Sequence, residues 1–244
     1  MKTEILYGVH PVFEALRAGR RRIHEVFIHP GRSSRRLEGI AASAKSKSVP
    51  VRELTPERLT SLAGSEFHQN VAARVDPYPP VDLESVLTRT RPFLLMLDSI
   101  LDPNNLGALV RTALCAGVDG VILPKDRSAT PLPSASKASA GALEHTDLVR
   151  ITNLAQTITR LKKHGFWIVG LDRSGEESLF DSDLTGPLAV IIGGEEKGIR
   201  PLVKQRCDFL VRIPQLGPLD SLNASAAGAV VMYEAFRQRR PSSA

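Results

Sequence analysis

The sequence is poor in the residues that hold metals or form disulfides. It has two cysteines, Cys115 and Cys207, which are far apart and each lie in an apolar context. The six histidines form no HExxH or other metal-ligand spacing. This pattern excludes a disulfide framework and a zinc knuckle, so we predict no metal site. We expect both cysteines to be buried small hydrophobic residues.

Long apolar runs are also missing. The longest surround residues 93–97 and 188–192, which is far short of the roughly 18 residues that a membrane span requires. The chain begins MKTEILYGVH, with Glu4 among its first residues and no apolar stretch of the kind found in secretory signals. We therefore expect a cytoplasmic protein that does not associate with membranes.

Aromatic residues and phosphate-binding glycine loops are scarce as well. The chain has eight Phe, three Tyr and one Trp, and no basic repeat interleaved with aromatics, which disfavours a platform that stacks single-stranded bases. Neither GxGxxG nor GxxxxGK[ST] occurs. The sequence thus lacks the dinucleotide-binding fingerprint and the Walker A loop.

Positive charge is present, but it is concentrated in the first third of the chain. The formal net charge is +6. Residues 1–75 hold 13 Lys and Arg against 7 Asp and Glu, whereas the remaining residues hold 19 of each. Such a concentration is typical of phosphate neutralisation, although a solvated surface that keeps the protein soluble is the alternative. The predicted nucleic-acid contacts are Arg20, Arg21, Arg22, Arg32, Arg35 and Arg36.

Hydrophobic patterning divides the chain into two α/β regions. Over residues 1–75 short helix and strand signals alternate, with helices predicted at 11–17, at 33–47 and after Thr55. Three prolines at 77, 79 and 80 predict a semi-rigid linker. We therefore predict a domain at 1–75, a linker and lead-in at 76–90, and a second domain at 91–244.

The second region predicts a parallel sheet covered on both faces, because continuous apolar runs are separated by helical segments. The predicted strands are 93–98, 120–123, 148–151, 167–171, 188–192 and 209–213. Helices are predicted at 106–116, 134–143, 154–164 and 222–236. Since ligands bind outside the carboxyl ends of such strands, the loops that follow them are the first places to search for a site.

Three of these loops are rich in glycine and polar residues. Taken singly, each also fits a turn or a helix cap. The first holds Asn105 and leads into a helix that carries Arg111; the second holds Gly193, Gly194, Glu195 and Gly198; the third holds Ile213, Pro214, Gly217, Ser221, Leu222, Asn223 and Ser225.

Together, in this order and spacing, the loops resemble the motifs of the SpoU (TrmH-like) family of RNA ribose 2′-O-methyltransferases. The family patterns are an Asn with an Arg six residues on, G-x-E-x-x-G, and I-P-x-x-G followed by S-L-N-x-S. Residues 7–12, 68–72 and 121–129 are similar to the bacterial 23S ribosomal RNA guanosine 2′-O-methyltransferases. The resemblance covers about residues 5–238, with departures at Asn70, Gln215 and Ala224.

The resemblance implies a fold, a cofactor and a site. The fold is a C-terminal parallel-sheet domain with a trefoil knot, of the SPOUT type, plus a small N-terminal α/β substrate-binding domain. The catalytic residues implied are Asn105, Arg111, Glu195 and Asn223, with Glu195 orienting Arg111 through an ion pair. S-adenosylmethionine is the implied cofactor, held by Gly193, Gly194, Gly198, Ile213, Gly217 and Leu222.

The implied function is methyl transfer, without a metal, to a ribose 2′-hydroxyl in large-subunit ribosomal RNA, at a guanosine. A homodimer is implied as well. A transfer-RNA target is the nearest alternative, and a noncatalytic RNA-binding assembly factor is the alternative from another functional class. The presence of Arg111, Glu195 and Asn223 favours the enzyme.

Overall fold

The computed structural model describes residues 2–30, 35–218 and 221–240. They divide into two compact units, one within 1–79 and 130–145, the other within 80–129 and 146–244. The sequence placed segment 130–145 in the second domain, whereas its contacts group it with the first unit. In chain order the elements are β1 (Glu4–Tyr7), α1 (Val9–Ala18), β2 (Ile23–Ile28), α2 (Arg35–Ser46), β3 (Val51–Glu53), α3 (Pro56–Ala63), β4 (Val71–Val75), α4 (Leu83–Leu87), β5 (Phe93–Asp98), α5 (Pro103–Cys115), β6 (Gly120–Pro124), α6 (Pro133–Ala138), β7 (Leu148–Ile151), α7 (Leu154–Lys163), β8 (Trp167–Leu171), β9 (Glu177–Ser178), β10 (Leu188–Gly193), α8 (Pro201–Lys204), β11 (Phe209–Arg212) and α9 (Ala224–Arg239).

The first unit is built on a mixed sheet in the order β1–β4–β2–β3. Strand β4 runs antiparallel to both neighbours, and β3 joins β2 in parallel. Its core includes Leu6, Val12, Leu16 and Ile40, which are fully or almost fully buried. These residues come from β1, α1 and α2, so the apolar faces of the two helices pack against the sheet.

A buried ion pair holds segment 130–145 within the first unit. Arg21 is 5% exposed and donates from Nε and Nη2 to the two carboxylate oxygens of Glu144, at 2.8 and 2.7 Å. Its Nη1 donates to Glu4 at 3.1 Å, and Ser136 Oγ donates to Glu144 at 2.8 Å. The prediction that Arg21 contacts RNA is corrected here, because its guanidinium is satisfied inside the protein.

The second unit is a parallel sheet in the order β7–β6–β5–β10–β8–β11–β9. Every pair of neighbouring strands is parallel, which confirms the predicted parallel sheet. The central strands β5 and β10 are almost fully buried, and their last residues, Asp98 and Gly193, are register partners. The chain runs outward from β5 through β6 and β7 before crossing to β8, so β5 marks the point at which ligand crevices form in such sheets.

Several predicted bounds differ from those observed. The helix predicted at 134–143 is α6 followed by a separate 3-10 turn at Ala142–His145. The short elements β1, β9 and α8 had not been predicted. Helix α9 begins after Leu222, because the side chain of Asn223 caps it. Each helix in the described part of the chain is too short or too polar to span a bilayer.

The cysteine prediction was wrong for Cys115. Helix α5 buries Leu106, Leu109, Val110 and Ala113 along one stripe, and Cys115 lies off that stripe and is exposed. Cys207 is partly buried, and burial raises the pKa of its thiol to about 11. An apolar sequence context does not tell which side of an amphipathic helix a residue occupies.

Candidate active site

A cleft of about 790 Å³ opens at the carboxyl ends of β8, β10 and β11. Its volume lies within the range of roughly 300–1,000 Å³ that is typical of small-molecule sites. Its walls come from the loops after these strands and from the first turn of α9. All six residues predicted to hold the cofactor line it: Gly193, Gly194, Gly198, Ile213, Gly217 and Leu222.

The glycines of the second loop are required by the protein's own backbone. A Cβ at Gly193 would lie 2.1 Å from the carbonyl carbon of Gly198, and one at Gly194 would lie 2.4 Å from the carbonyl oxygen of Ser99. Gly198 has a φ of +61°, which favours glycine. Thus these residues let the loop fold onto itself and against the end of β5. A Cβ at Gly217, in contrast, would meet nothing within 4 Å.

Three of the four predicted catalytic side chains meet beside this cleft. Asn105 Nδ2 donates to Glu195 Oε1 at 2.5 Å. Asn223 Nδ2 donates to the same oxygen at 2.8 Å and to Asn105 Oδ1 at 3.2 Å. Glu195 Oε2 has no hydrogen-bond partner among the described residues. One carboxylate oxygen is therefore fixed, while the other is available to a substrate.

Asn105 and Asn223 each lie at the N-terminus of a helix. Asn105 lies in the first turn of α5, which is capped by Asp102. Asn223 caps α9, because its Oδ1 accepts hydrogen bonds from the backbone nitrogen and hydroxyl of Ser225, at 2.8 and 2.6 Å. Its Nδ2 is thereby directed at Glu195. The positive ends of two helices also favour a negative charge at this position.

Small residues let α5 and α9 approach each other. A Cβ at Gly228 would lie 2.3 Å from Leu109 Cδ2, so a larger residue would push the helices apart. The small residues of α9 are compatible with close packing against either another helix of the chain or a second subunit. In the structure Gly228 packs against Leu109 of the same chain, so α5, which carries Asn105, lies close to α9, which Asn223 caps.

Arg111 does not join the cluster. It lies just over two turns into α5, is exposed, and forms no hydrogen bond or ion pair with any described residue. The partners of Glu195 Oε1 are two amides, and Arg111 does not form the predicted ion pair with Glu195. The guanidinium of Arg111 is therefore available to an incoming phosphate or ribose.

The lining of the cleft also carries charges that sequence reasoning missed. Asp172 Oδ2 pairs with Lys204 Nζ at 2.6 Å, and Ser174 donates to Asp172 Oδ1 from its hydroxyl at 2.7 Å. Burial by itself raises the pKa of Asp172, but these partners outweigh burial and lower it. Asp172 directly follows a predicted strand, so the search rule applied to the other loops would have found it.

The predicted RNA-binding arginines have different surroundings. Arg22, Arg35 and Arg36 are exposed, and Arg20 is partly buried with its guanidinium 5.9 Å from the ring centre of Tyr78. Arg32 lies outside the described residues.

Within residues 2–30, 35–218 and 221–240, no group of three or more His, Cys, Asp or Glu side chains is arranged to hold a metal ion.

Two family models match the chain. Residues 92–233 match the SpoU rRNA Methylase family. Residues 5–81 match the family described as RNA 2′-O ribose methyltransferase substrate binding. The chain belongs to the SpoU rRNA methylase family.

Named relatives of this SpoU family member cover almost all of it. It is 42% identical over 242 residues to the 23S rRNA (guanosine-2′-O-)-methyltransferase RlmB of Pseudomonas putida, covering 97% of each chain. The Escherichia coli K12 protein of the same name is 40% identical over 241 residues, covering 97% of this chain and 99% of that protein. The crystal structure of the SpoU methyltransferase AviRb from Streptomyces viridochromogenes, in complex with AdoMet, superposes with a TM-score of 0.81 at 27% identity, covering 96% of this chain and 89% of AviRb.

Proposed function

We propose that this SpoU family member transfers the methyl group of S-adenosylmethionine to the ribose 2′-hydroxyl of a guanosine in 23S ribosomal RNA. The observation that carries the proposal is the convergence of Asn105, Glu195 and Asn223 beside a cleft lined by all six predicted cofactor residues. Relatives named as 23S rRNA (guanosine-2′-O-)-methyltransferases match almost the whole chain, which supports 23S ribosomal RNA as the substrate.

The residues of the cleft fit the cofactor. Its volume suits a nucleoside-sized ligand, and Ile213 and Leu222 offer apolar surface to an adenine. Loop backbone from 193–198 and 213–217 supplies donors and acceptors for a ribose. When bound, S-adenosylmethionine supplies an electrophilic methyl group on a sulfonium. The chain's remaining task is to hold a ribose oxygen in line with that group, at about 3 to 3.5 Å.

The residues beside the cleft have separate roles in this proposal. Arg111 binds a phosphate and stabilises the developing alkoxide, since a guanidinium stays protonated and makes a poor base. Glu195 Oε2 accepts the hydrogen bond of the 2′-hydroxyl and takes up its proton as the oxygen bonds to the methyl group. Asn105 and Asn223 hold the other oxygen of Glu195 and thereby fix the direction of Oε2.

The first unit captures the RNA in this proposal, through exposed arginines such as Arg22, Arg35 and Arg36. A ribosomal RNA substrate supports a cytoplasmic location for the protein.

The resemblance to the family supports a trefoil knot in the second unit and a homodimer. The exposed side chains of Leu114 in α5 and Tyr233 in α9 provide apolar surface for a second copy.

Mapping of 2′-O-methylation in RNA from cells with and without the protein tests the function. We expect one guanosine of 23S ribosomal RNA to lose its methyl group when the protein is absent, and to regain it when the gene is restored. Loss at a transfer-RNA position would favour the transfer-RNA alternative. An unchanged map together with altered ribosome assembly would favour the noncatalytic factor.

A further inference from the structure

The loop that carries Glu195 is fixed at both ends to the end of β5. At its start, Gly194 packs against the carbonyl oxygen of Ser99. At its end, Arg200 donates from its backbone nitrogen to Asp98 Oδ2 at 2.8 Å, and from Nε to Asp98 Oδ1 at 2.6 Å. Between these points the amide of Gly198 donates to the carbonyl of Gly194 at 2.9 Å. The loop is thus a closed turn with Glu195 near its tip.

Asp98 is unusual among the charged residues of the second unit. Its side chain has no exposed surface, whereas that of Arg200 is 38% exposed. A fully buried carboxylate is tolerated only when its oxygens are paired, and here both pair with one residue of the Glu195 loop. Asp98 also begins the loop that leads to α5 and Asn105. It therefore connects the two segments that bring Asn105 and Glu195 together.

We propose that Asp98 and Arg200 are positioning residues that hold the loop bearing Glu195 in the geometry needed for methyl transfer. Neither side chain belongs to the cluster of Asn105, Glu195 and Asn223, so both act through the backbone of residues 194–200. The inference rests on the proposed function for its kinetic consequence. Its structural consequence, an ordered loop, is independent of that function.

The chain provides a matched control at the other end of β5. There Asp119 Oδ2 accepts from the backbone nitrogen of Phe93 at 2.8 Å, and its Oδ1 lies 3.4 Å from Arg89 Nη1. This is again a carboxylate shared by a backbone amide and an arginine. It lies at the amino end of the strand, away from the carboxyl ends that form the cleft. If the Asp98 pair served stability alone, its loss, like the loss of the Asp119 pair, would leave the kcat of the folded enzyme near that of the parent.

The test compares Asp98→Asn and Arg200→Gln with Asp119→Asn. In steady-state methylation assays we expect kcat to fall about tenfold to a hundredfold in the first two, because small displacements of reacting groups are costly. The KM for RNA should change less than about twofold, and the double variant should lose no more than the worse single variant. Asp119→Asn should keep kcat within about twofold of the parent. Equal losses of kcat at both ends of β5, or a parental kcat in Arg200→Gln, would overturn the proposal.

Hydrogen exchange of the free protein provides a readout that needs no activity. The backbone amides of residues 198 and 200 should exchange faster in Arg200→Gln than in the parent, and at the parental rate in Asp119→Asn. Because Arg200 is partly exposed, this variant keeps the test valid if Asp98→Asn does not fold. An inactive parent whose loop amides behave as expected would contradict the proposed function but support the positioning role. Parental exchange in Arg200→Gln would overturn that role.

Discussion

Asn223 joins α9 to Glu195 through opposite ends of one amide. Its Oδ1 caps the helix by accepting from Ser225 N at 2.8 Å, and its Nδ2 donates to Glu195 Oε1 at 2.8 Å. Since an amide has a fixed donor side and acceptor side, capping α9 orients the donor toward Glu195. A residue that reads as a helix cap thereby also orders the candidate site.

Asn223→Asp should separate these two roles. Aspartate keeps the cap, but it replaces the donor with a second anionic oxygen facing Glu195. We expect the unfolding midpoint to stay near that of the parent and methyl transfer to fall on the order of a hundredfold, comparable to the loss of one preorganised donor. Ser225→Ala, which removes a neighbouring hydroxyl from the cap and spares Glu195, serves as the control in the same single-turnover assay.

Arg111→Lys should lower the rate of methyl transfer by on the order of a hundredfold or more, because lysine keeps the charge but lacks the planar fork of a guanidinium. Folding and cofactor affinity should stay nearly intact, since Arg111 is exposed and unpaired among the described residues. Single-turnover kinetics at saturating RNA and cofactor separates chemistry from binding. A rate within about threefold of the parent would rule out a geometric role for the guanidinium.

Arg21→Met should destabilise the first unit by about 3 to 5 kcal/mol, because the buried Glu144 loses its charged partner. The double variant Arg21→Met with Glu144→Leu should recover part of this loss, since no unpaired charge remains. Urea denaturation measures both effects. Arg22→Ala is the matched control. The side chain of Arg22, the residue that follows Arg21, is exposed, so this variant should change the free energy of unfolding by less than about 0.5 kcal/mol.

RNA affinity should depend on the exposed arginines of the first unit. Replacing Arg22, Arg35 and Arg36 with alanine should flatten the logarithmic salt dependence of binding by about 0.7 to 0.9 for each phosphate that is no longer neutralised. Point variants are preferable to deletion of residues 1–75, because deletion would also strip segment 130–145 of its partners. Arg206→Ala, an exposed arginine of the second unit, is the comparison. An unchanged slope in the triple variant would contradict RNA capture by this surface.

The stability of the first unit should depend on the protonation of His68. Its Nδ1 accepts from the amide of Asn70 at 3.0 Å, so the neutral ring is the form that fits. Burial, followed by the nearby His29 and Lys137, lowers the pKa of His68. The unfolded chain therefore takes up the proton first, and the stabilisation is complete above about pH 6.5 and declines as the pH falls below that value. Urea denaturation across this range should show the decline in the parent and a flatter profile in His68→Gln.

The sequence predicted the members of the site better than their partners. Motif spacing identified Asn105, Glu195 and Asn223, which converge in the structure. It did not reveal that Asp98 pairs with Arg200, because that pair depends on the register of β5 beside β10. Nor did it distinguish Arg21 from its neighbours, since the partner Glu144 lies 123 residues away.

The helices and strands show the same contrast between features that local sequence predicts and features that depend on distant partners. Strands with continuous apolar runs, such as β5 and β8, have the bounds that were predicted. Strand β9 spans two residues, which is too short to display a hydrophobic period. Its position at the sheet edge depends on pairing with β11 rather than on its own sequence.

The most direct test of the central claim is nucleoside analysis after methyl transfer in vitro. The purified protein is incubated with S-adenosylmethionine carrying an isotopically labelled methyl group and with a 23S ribosomal RNA transcript, and the digested RNA is examined by mass spectrometry. We predict label in 2′-O-methylguanosine, at one position, and on the order of a hundredfold less label with Arg111→Lys at an early time point. Label on a base, label only when transfer RNA is supplied, or no transfer by the parent to any RNA would contradict the account.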